Sequence, residues 1–515
     1  MQAASTVDNL IQTKHVRVFV SQEIEIKLLV EGASREQVLA LCQSLAKEAK
    51  MTELQLSNRY FDTEDLRLRQ HDMGLRIRQR GDDREQTIKL AGEVLGGVHS
   101  RPEYNTVITS EQPDLTLFEE DIWPDDFALF DINRELQEIF RTDFTRYRWY
   151  LPSGEGQIEL VYDEGSIIVG EQQRPLAEIE LEVQQGEIAD AYRLARRFIT
   201  RLNARLGSLS KAARGYMLAG KTVLEPFTHA HFVPQQANDD VGTGLYRALT
   251  YALQYWQHND ACLTEVPSVR AVAGITDGIR LSKVVLQQLA TLEIDVGDHI
   301  LRLEQMLGHL GWLSRYDGLT ELTAEDGAYH RALEQYPKLY EAIKEQQQHA
   351  VQLELVQSLS IRDDYQLTLL ELGALCHEQP RHEQVAQLPL RQWASQRLRE
   401  DWQNVIDAFA REGDLKPEYY LKQLPLLQGS LQLGYCVGYL FDEEDREQFR
   451  APWQDMVRGI REIMALKLLR DAIKDNDDHQ PERLLNWQTV QLESLLYALE
   501  HSRKAALKQE PYWLG

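Results

Sequence analysis

Glu23-Ile24-Glu25-Ile26-Lys27-Leu28 alternates charged and apolar residues without a break, which is the period of a β-strand. Glu23, Glu25 and Lys27 share one face; Ile24, Ile26 and Leu28 share the other. The pattern recurs along the chain. Arg76, Arg78 and Arg80 alternate with Ile77 and Gln79, Lys89 with Ile88 and Leu90, and Glu178, Glu180 and Glu182 with Ile179, Leu181 and Val183. Several strands therefore each carry a file of charge on one face. Like charges that converge repel unless opposite charge lies near. A closed antiparallel barrel with these files lining its lumen meets that need, with acidic files to hold metal and basic files to hold a polyanion.

Working outward, 515 residues suffice for two or more domains with real cores. Apolar residues at 43% and charged residues at 27% fit a soluble globular chain. A net charge of -25 argues against general nucleic-acid or anionic-membrane binding, while leaving room for a local basic pocket. Cys42, Cys262, Cys376 and Cys436 are far apart and form no CxxC pair, so neither a zinc site nor a disulfide framework is expected, and a reducing cytoplasm is the expected location. The first residues lack the apolar core of a signal peptide, and no long apolar run suggests a membrane span.

Residues 1–19 read as an extension before the first strand. Ser34-Arg35-Glu36-Gln37 has the form of a capping box, and Val38, Leu41, Cys42 and Leu45 continue as a helix. Strands are expected over 54–62, and over 73–80 paired with 86–90 across a turn at Gly81-Asp82-Asp83. Another opens at Arg101, with Glu103 and Asn105 on one face. Residues 113–133 contain no basic residue and read as a surface insertion of short helices. Strand character resumes over 140–151, where Thr142, Phe144, Arg146 and Arg148 share a face. Asp163-Glu164-Gly165-Ser166 reads as a hairpin turn between 158–162 and 167–169. A helix follows the acidic strand over 188–206, and Ser210-Lys211-Ala212-Ala213-Arg214-Gly215-Tyr216 closes this part.

Glu23-Ile24-Glu25-Ile26-Lys27 resembles the ExExK signature of the CYTH family, also called triphosphate tunnel metalloenzymes. Arg76-Ile77-Arg78, Thr87-Ile88-Lys89, Phe144-Thr145-Arg146, Asp163, Glu178-Ile179-Glu180 and Ser210-Lys211 follow in the family's order, so the resemblance spans residues 20–220. It implies a closed antiparallel β tunnel that acts on triphosphate groups with two Mg2+ or Mn2+ ions. The implied reaction is hydrolysis of inorganic triphosphate to pyrophosphate and phosphate. Lys27, Arg76, Arg78, Lys89, Arg146 and Lys211 are the expected phosphate contacts, with Arg80, Arg148 and Arg214 secondary. Glu23, Glu25, Asp163, Glu178, Glu180 and Glu182 are the expected metal ligands. Lys27, Lys89 and Glu180 are the candidates for a catalytic role, and the general base stays open between Glu180 and a metal-bound hydroxide. Tyr60 is expected to pack, and His71-Asp72 to form a turn. The chain has no GxxxxGK loop and no HExxH, so P-loop and zincin mechanisms lack support. Rival readings on the same tunnel are a nucleoside or thiamine triphosphatase and a class IV-type adenylate cyclase; a third is a non-catalytic polyphosphate-binding scaffold.

Residues 221–242, with Pro226 and Pro234, read as a linker. Residues 243–515 keep helical spacing almost throughout and read as an all-α bundle, making the whole an α+β chain. Position after a CYTH domain makes this part similar to CHAD, a helical domain associated with polyphosphate. The signature histidine position holds Arg270, the signature arginine positions hold Ala273, Asp277 and Gly278, and the later repeat falls near Lys422 and Pro425. The reading is a degenerate CHAD-like domain that packs or mediates assembly, with long-chain polyphosphate as the less favoured partner.

Overall fold

The structure, a computed structural model, describes residues 19–153, 156–381, 388–475 and 481–514. The first eighteen residues of the expected extension lie outside the described residues. The chain divides into two compact units between Val223 and Leu224.

In the first unit the alternating stretches become strands. They are β1 (Phe19–Leu29), β2 (Thr52–Asp62), β3 (Gly74–Arg80), β4 (Asp83–Lys89), β5 (Glu93–Leu95), β6 (Val98–Ile108), β7 (Gln137–Ser153), β8 (Gly156–Val169), β9 (Gln172–Gln185) and the two-residue β10 (Arg205–Leu206). The sheet order is β10-β1-β9-β8-β7-β2-β3-β4-β6-β5, and β1 also pairs with β6. That extra pairing, running from Phe19↔Asn105 to Ile26↔Val98, closes eight antiparallel strands into a barrel. Closure explains how one face of each strand can be charged and the other apolar. The charged face turns to the lumen, and the apolar face meets helices outside. Ile26, Leu28, Ile179 and Leu181 are fully buried, as are Ala191, Ala195, Phe198 and Ile199 of the helix Ile188–Leu202, which packs against β1 and β9.

Two expectations are corrected here. β8 runs unbroken through Asp163-Glu164-Gly165-Ser166, which is therefore no turn. Gly165 sits opposite Phe144 of β7, and a Cβ there would lie 2.1 Å from the Asp143 carbonyl oxygen. The glycine marks a close approach of two strands, one of the common meanings of glycine inside a strand. Residues 113–133 are also more than a surface insertion. Leu115, Phe118, Ile122, Phe127 and Ile132 pack with Phe61, Leu75, Ile77 and Ile88 in one core that covers the outer wall of β2–β4.

The eight-residue helix Lys211–Leu218 contacts β7 and β8. Ser210 caps it by accepting a hydrogen bond from the Ala213 amide. Gly215 leaves room for the Phe140 ring, which a Cβ would approach to 2.1 Å, and Tyr216 donates to Asp62 at 3.0 Å. This fixes the helix with Lys211 and Arg214 turned toward the barrel's acidic strand.

The second unit is helical. Its long helices include Val241–Glu265, Val269–Thr291, Pro417–Val437, Glu443–Lys474 and Pro481–Ala506. Gly278 lets the second of these lie against the first, since a Cβ there would be 2.6 Å from the Trp256 Cβ. Pro425 sits inside the helix Pro417–Val437, on an exposed stretch where water can serve the carbonyl it leaves unpaired. Arg270 is exposed at the first turn of its helix. Among the described residues no helix is long and apolar enough to cross a membrane.

Candidate functional site

The barrel encloses a cavity of about 730 Å³. Lys27, Arg76, Arg78, Lys89, Arg146 and Lys211 all line it, as do Glu23, Glu25, Glu180 and Glu182. The secondary candidates Arg80 and Arg148 line it too. Asp163, Glu178 and Arg214 do not; they lie behind the lining and are almost fully buried. Tyr60 lines the cavity while stacking on Phe140 at 4.4 Å. His71 and Asp72 fall in the turn after a short helix, and Asp72 reaches the cavity edge.

One wall is a dense lattice of paired charge. The Arg146 guanidinium makes two parallel bonds to Asp163, each 2.7 Å, and a third to Glu180 at 2.9 Å. The Lys211 ammonium bonds Asp163 at 2.8 Å, Glu180 at 3.0 Å and also Glu178. Lys27 bonds Glu178 at 3.1 Å, Glu25 at 3.3 Å and also Glu180. Arg214 donates to Glu178 from the far side. Burial works to raise the Glu178 carboxyl, but Arg214, Lys211 and Lys27 outweigh it and hold its pKa at about 2. Glu180 is held low in the same way, against burial, by Lys211, Lys27 and Arg146.

Two regions of the lumen are not neutralised. Glu182 faces Glu25 of β1 on one side and Glu159 of β8 on the other, in direct register. Like charges placed opposite each other destabilise a sheet. Among the described residues, neither Glu159 nor Glu182 has a cation within ion-pairing distance, while Glu23 is bonded to Lys89 at 2.5 Å. Burial, then the crowding of Glu23, Glu159 and Glu25, pushes the Glu182 carboxyl up to about 8. The converse case is Arg78. The only hydrogen bond of its side chain among the described residues is to the Asn58 side-chain oxygen, at 3.0 Å, with no carboxylate in ion-pairing reach. Burial, then Arg76 and Arg146, lowers its pKa to about 10.

Sequence reasoning missed Glu159 and gave Glu103 no role. Glu159 shares β8 with Asp163 at even spacing, the signal that would have found it. Glu103 accepts from Lys89 at 2.6 Å and lies 3.5 Å from Arg76. Lys89 and Arg76 hold it below the usual carboxylate range although burial opposes them. His99 was also missed: it is 3% exposed, and burial and then Lys27 depress it to about 4.

A divalent cation fits this site by the chemistry of its donors. The oxygens of Asp163, Glu178 and Glu180 converge to within 4.8 Å of one another, but Lys27, Arg146, Lys211 and Arg214 already meet their charge. Among the described residues the carboxylates short of a counter-charge are Glu182 and Glu159, with the more lightly paired Glu25 and Glu23 beside them, and hard oxygen donors are what Mg2+ takes.

Residues 21–216 match the CYTH domain model. A curated inorganic triphosphatase from Haemophilus influenzae is 36% identical over 205 residues, covering 39% of this chain and 56% of that protein. The chain thus spans little more than half the length of that relative. Solved structures with remote likeness include a CHAD domain from the plant Ricinus communis, at 14% identity and TM-score 0.42 over 54% of this chain and 97% of that one. An inorganic triphosphatase, NE1496, is 22% identical with TM-score 0.15 over 33% of this chain and 78% of that one. The matched stretch, residues 21–216, contains every cavity-lining residue named above.

Proposed function

We propose that this chain is a metal-dependent inorganic triphosphatase whose substrate lies in the barrel lumen. The observation that carries the reading is the segregation of unmet charge within one cavity. Among the described residues Arg78 has no anion, and Glu159 and Glu182 no cation, within ion-pairing distance. A polyanion bound together with a divalent cation satisfies both at once. The resemblance to a curated inorganic triphosphatase supports the same substrate class.

In this reading Arg76, Arg78 and Arg146 grip phosphate oxygens through their planar forks, and Lys27, Lys89 and Lys211 place point charges along the chain. Glu23, Glu25 and Glu182, with Glu159 beside them, would hold the metal, which when bound supplies charge neutralisation and water polarisation. Water attacks a terminal phosphorus in line. The bond between that phosphorus and the bridging oxygen breaks, and pyrophosphate leaves with the electron pair. Lys27 and Lys89 stabilise the charge gathering on the leaving group, a task of positioning and electrostatics rather than covalent chemistry. Glu178 and Asp163 act from behind the lining, holding Lys27, Arg146 and Lys211 in place. Substrate binding is assigned to residues 20–220 alone, because the lysines and arginines that line the cavity all lie there.

The test is phosphate release by the full chain from tripolyphosphate, ATP and thiamine triphosphate, each with Mg2+, Mn2+ or EDTA. Fast metal-dependent release from tripolyphosphate is expected. Preference for a nucleotide, or release unaffected by EDTA, sinks the reading; binding of long polyphosphate without turnover favours the scaffold.

A further inference from the structure

Both backbone polar groups of Lys27 are taken by glycines of two loops. Its amide donates to the Gly97 carbonyl at 3.0 Å, and its carbonyl accepts from the Gly207 amide at 2.9 Å. The Lys27 side chain then runs directly over Gly207. A Cβ at residue 207 would stand 2.9 Å from the Lys27 Cγ and 3.1 Å from its Cδ. His99, two residues beyond Gly97 and opposite Glu25 in the β1–β6 register, closes the circuit. Its Nε2 lies 2.7 Å from the Gly207 carbonyl oxygen, which can only accept, so Nε2 carries the proton. A ring of hydrogen bonds thus ties His99 to Gly207, Gly207 to Lys27, and Lys27 to Gly97, just ahead of the strand that carries His99. Three residues after Gly207, Ser210 caps the helix that supplies Lys211.

We propose that His99 is a positioning residue: by holding the Gly207 turn it fixes where the Lys27 ammonium, and through the following helix the Lys211 ammonium, meet the substrate. This deepens, and rests on, the triphosphatase reading. His99 is buried beneath the lining and does not itself border the cavity, so it acts through these two lysines. Glutamine at this position can still offer an N–H at a similar reach, whereas leucine fills the space without a donor.

The experiment compares His99→Gln, His99→Leu and Gly207→Ala in the full chain. Initial rates with tripolyphosphate and Mg2+ give KM and kcat separately, and hydrogen exchange is followed through residues 205–214. His99→Leu and Gly207→Ala should each raise KM about tenfold or more, as a displaced contact group does. His99→Gln should restore KM to near the parent value, and exchange should quicken over 205–214 in the leucine variant only. A folded His99→Leu with parental KM and exchange overturns the proposal, and so does a His99→Gln as impaired as the leucine variant. If His99→Leu does not fold, Gly207→Ala decides, because its Cβ pushes on Lys27 without emptying the His99 site; a parental KM there is likewise fatal. Should the parent protein leave tripolyphosphate intact, the function reading fails by itself, and the exchange comparison still judges whether His99 holds the Gly207 turn.

Discussion

Replacing Glu182 by glutamine removes one carboxylate from the crowded junction of β1, β8 and β9. In the metal-free protein, burial and the neighbours Glu23, Glu159, Glu25 and Glu180 raise Glu182 from 4.5 to about 8. The unfolded chain surrenders this proton near its ordinary value, whereas the folded chain keeps it until about 8. The folded state binds more protons throughout that window, so stability falls as pH rises, by about 1.4 kcal/mol per pH unit. Integrated over the window the ceiling is about 5 kcal/mol; Glu182 is partly reached by solvent and shares its repulsion with four neighbours, so about half is the working expectation. Hydrogen exchange of β8 and β9 amides in EDTA, corrected for intrinsic rates, reads the local opening free energy. The parent barrel should lose protection between about pH 5 and about pH 9, and Glu182→Gln should flatten that slope. Mg2+ should restore the parent more at the alkaline end, because a bound cation favours the ionised carboxylates. Parallel pH curves for parent and variant, with or without Mg2+, would refute the view that this cluster lacks a counter-charge.

Arg78→Ala should weaken tripolyphosphate binding by about 1.5–3 kcal/mol while scarcely changing the unfolding midpoint, since no carboxylate loses a partner; calorimetric titration beside thermal melting checks both. Glu178→Gln should do the reverse: it strands Arg214 behind the lining and takes one of several carboxylate partners from Lys27 and Lys211, at a cost of about 3–5 kcal/mol, yet leaves the stoichiometry of Mn2+ binding by electron paramagnetic resonance unchanged. Gly165→Ala should impair folding of the whole barrel, because β7 and β8 cannot accept the added carbon; solubility and barrel amide protection measure the loss.

The barrel was legible because period-two alternation with charge on one face has few other solutions. Glu23, Glu25 and Lys27 of β1 and the arginines of β3 reach the cavity as their parity demands. Depth was not legible. Glu178 and Glu182 sit four residues apart on one face of β9, but the first is sealed beneath three cations and the second stands in the lumen without one. Parity gives the face of a strand, not which end the helix Lys211–Leu218 covers. Asp163 shows the same limit from another side. Its Asp-Glu-Gly-Ser context has turn composition, and only the packing of Phe144 against Gly165 explains that glycine. His99 carried no local signal at all, since its partner Gly207 lies 108 residues away.

Crystals of the full chain grown with Mn2+ and a non-hydrolysable triphosphate, measured at the manganese edge, put the proposed chemistry to its simplest trial. The expected result is an anomalous peak inside the barrel about 2.2 Å from oxygens of Glu23, Glu25 or Glu182, with phosphate density beside Arg78. Manganese and phosphate found only on the exterior, or a lumen filled by solvent alone, would contradict it.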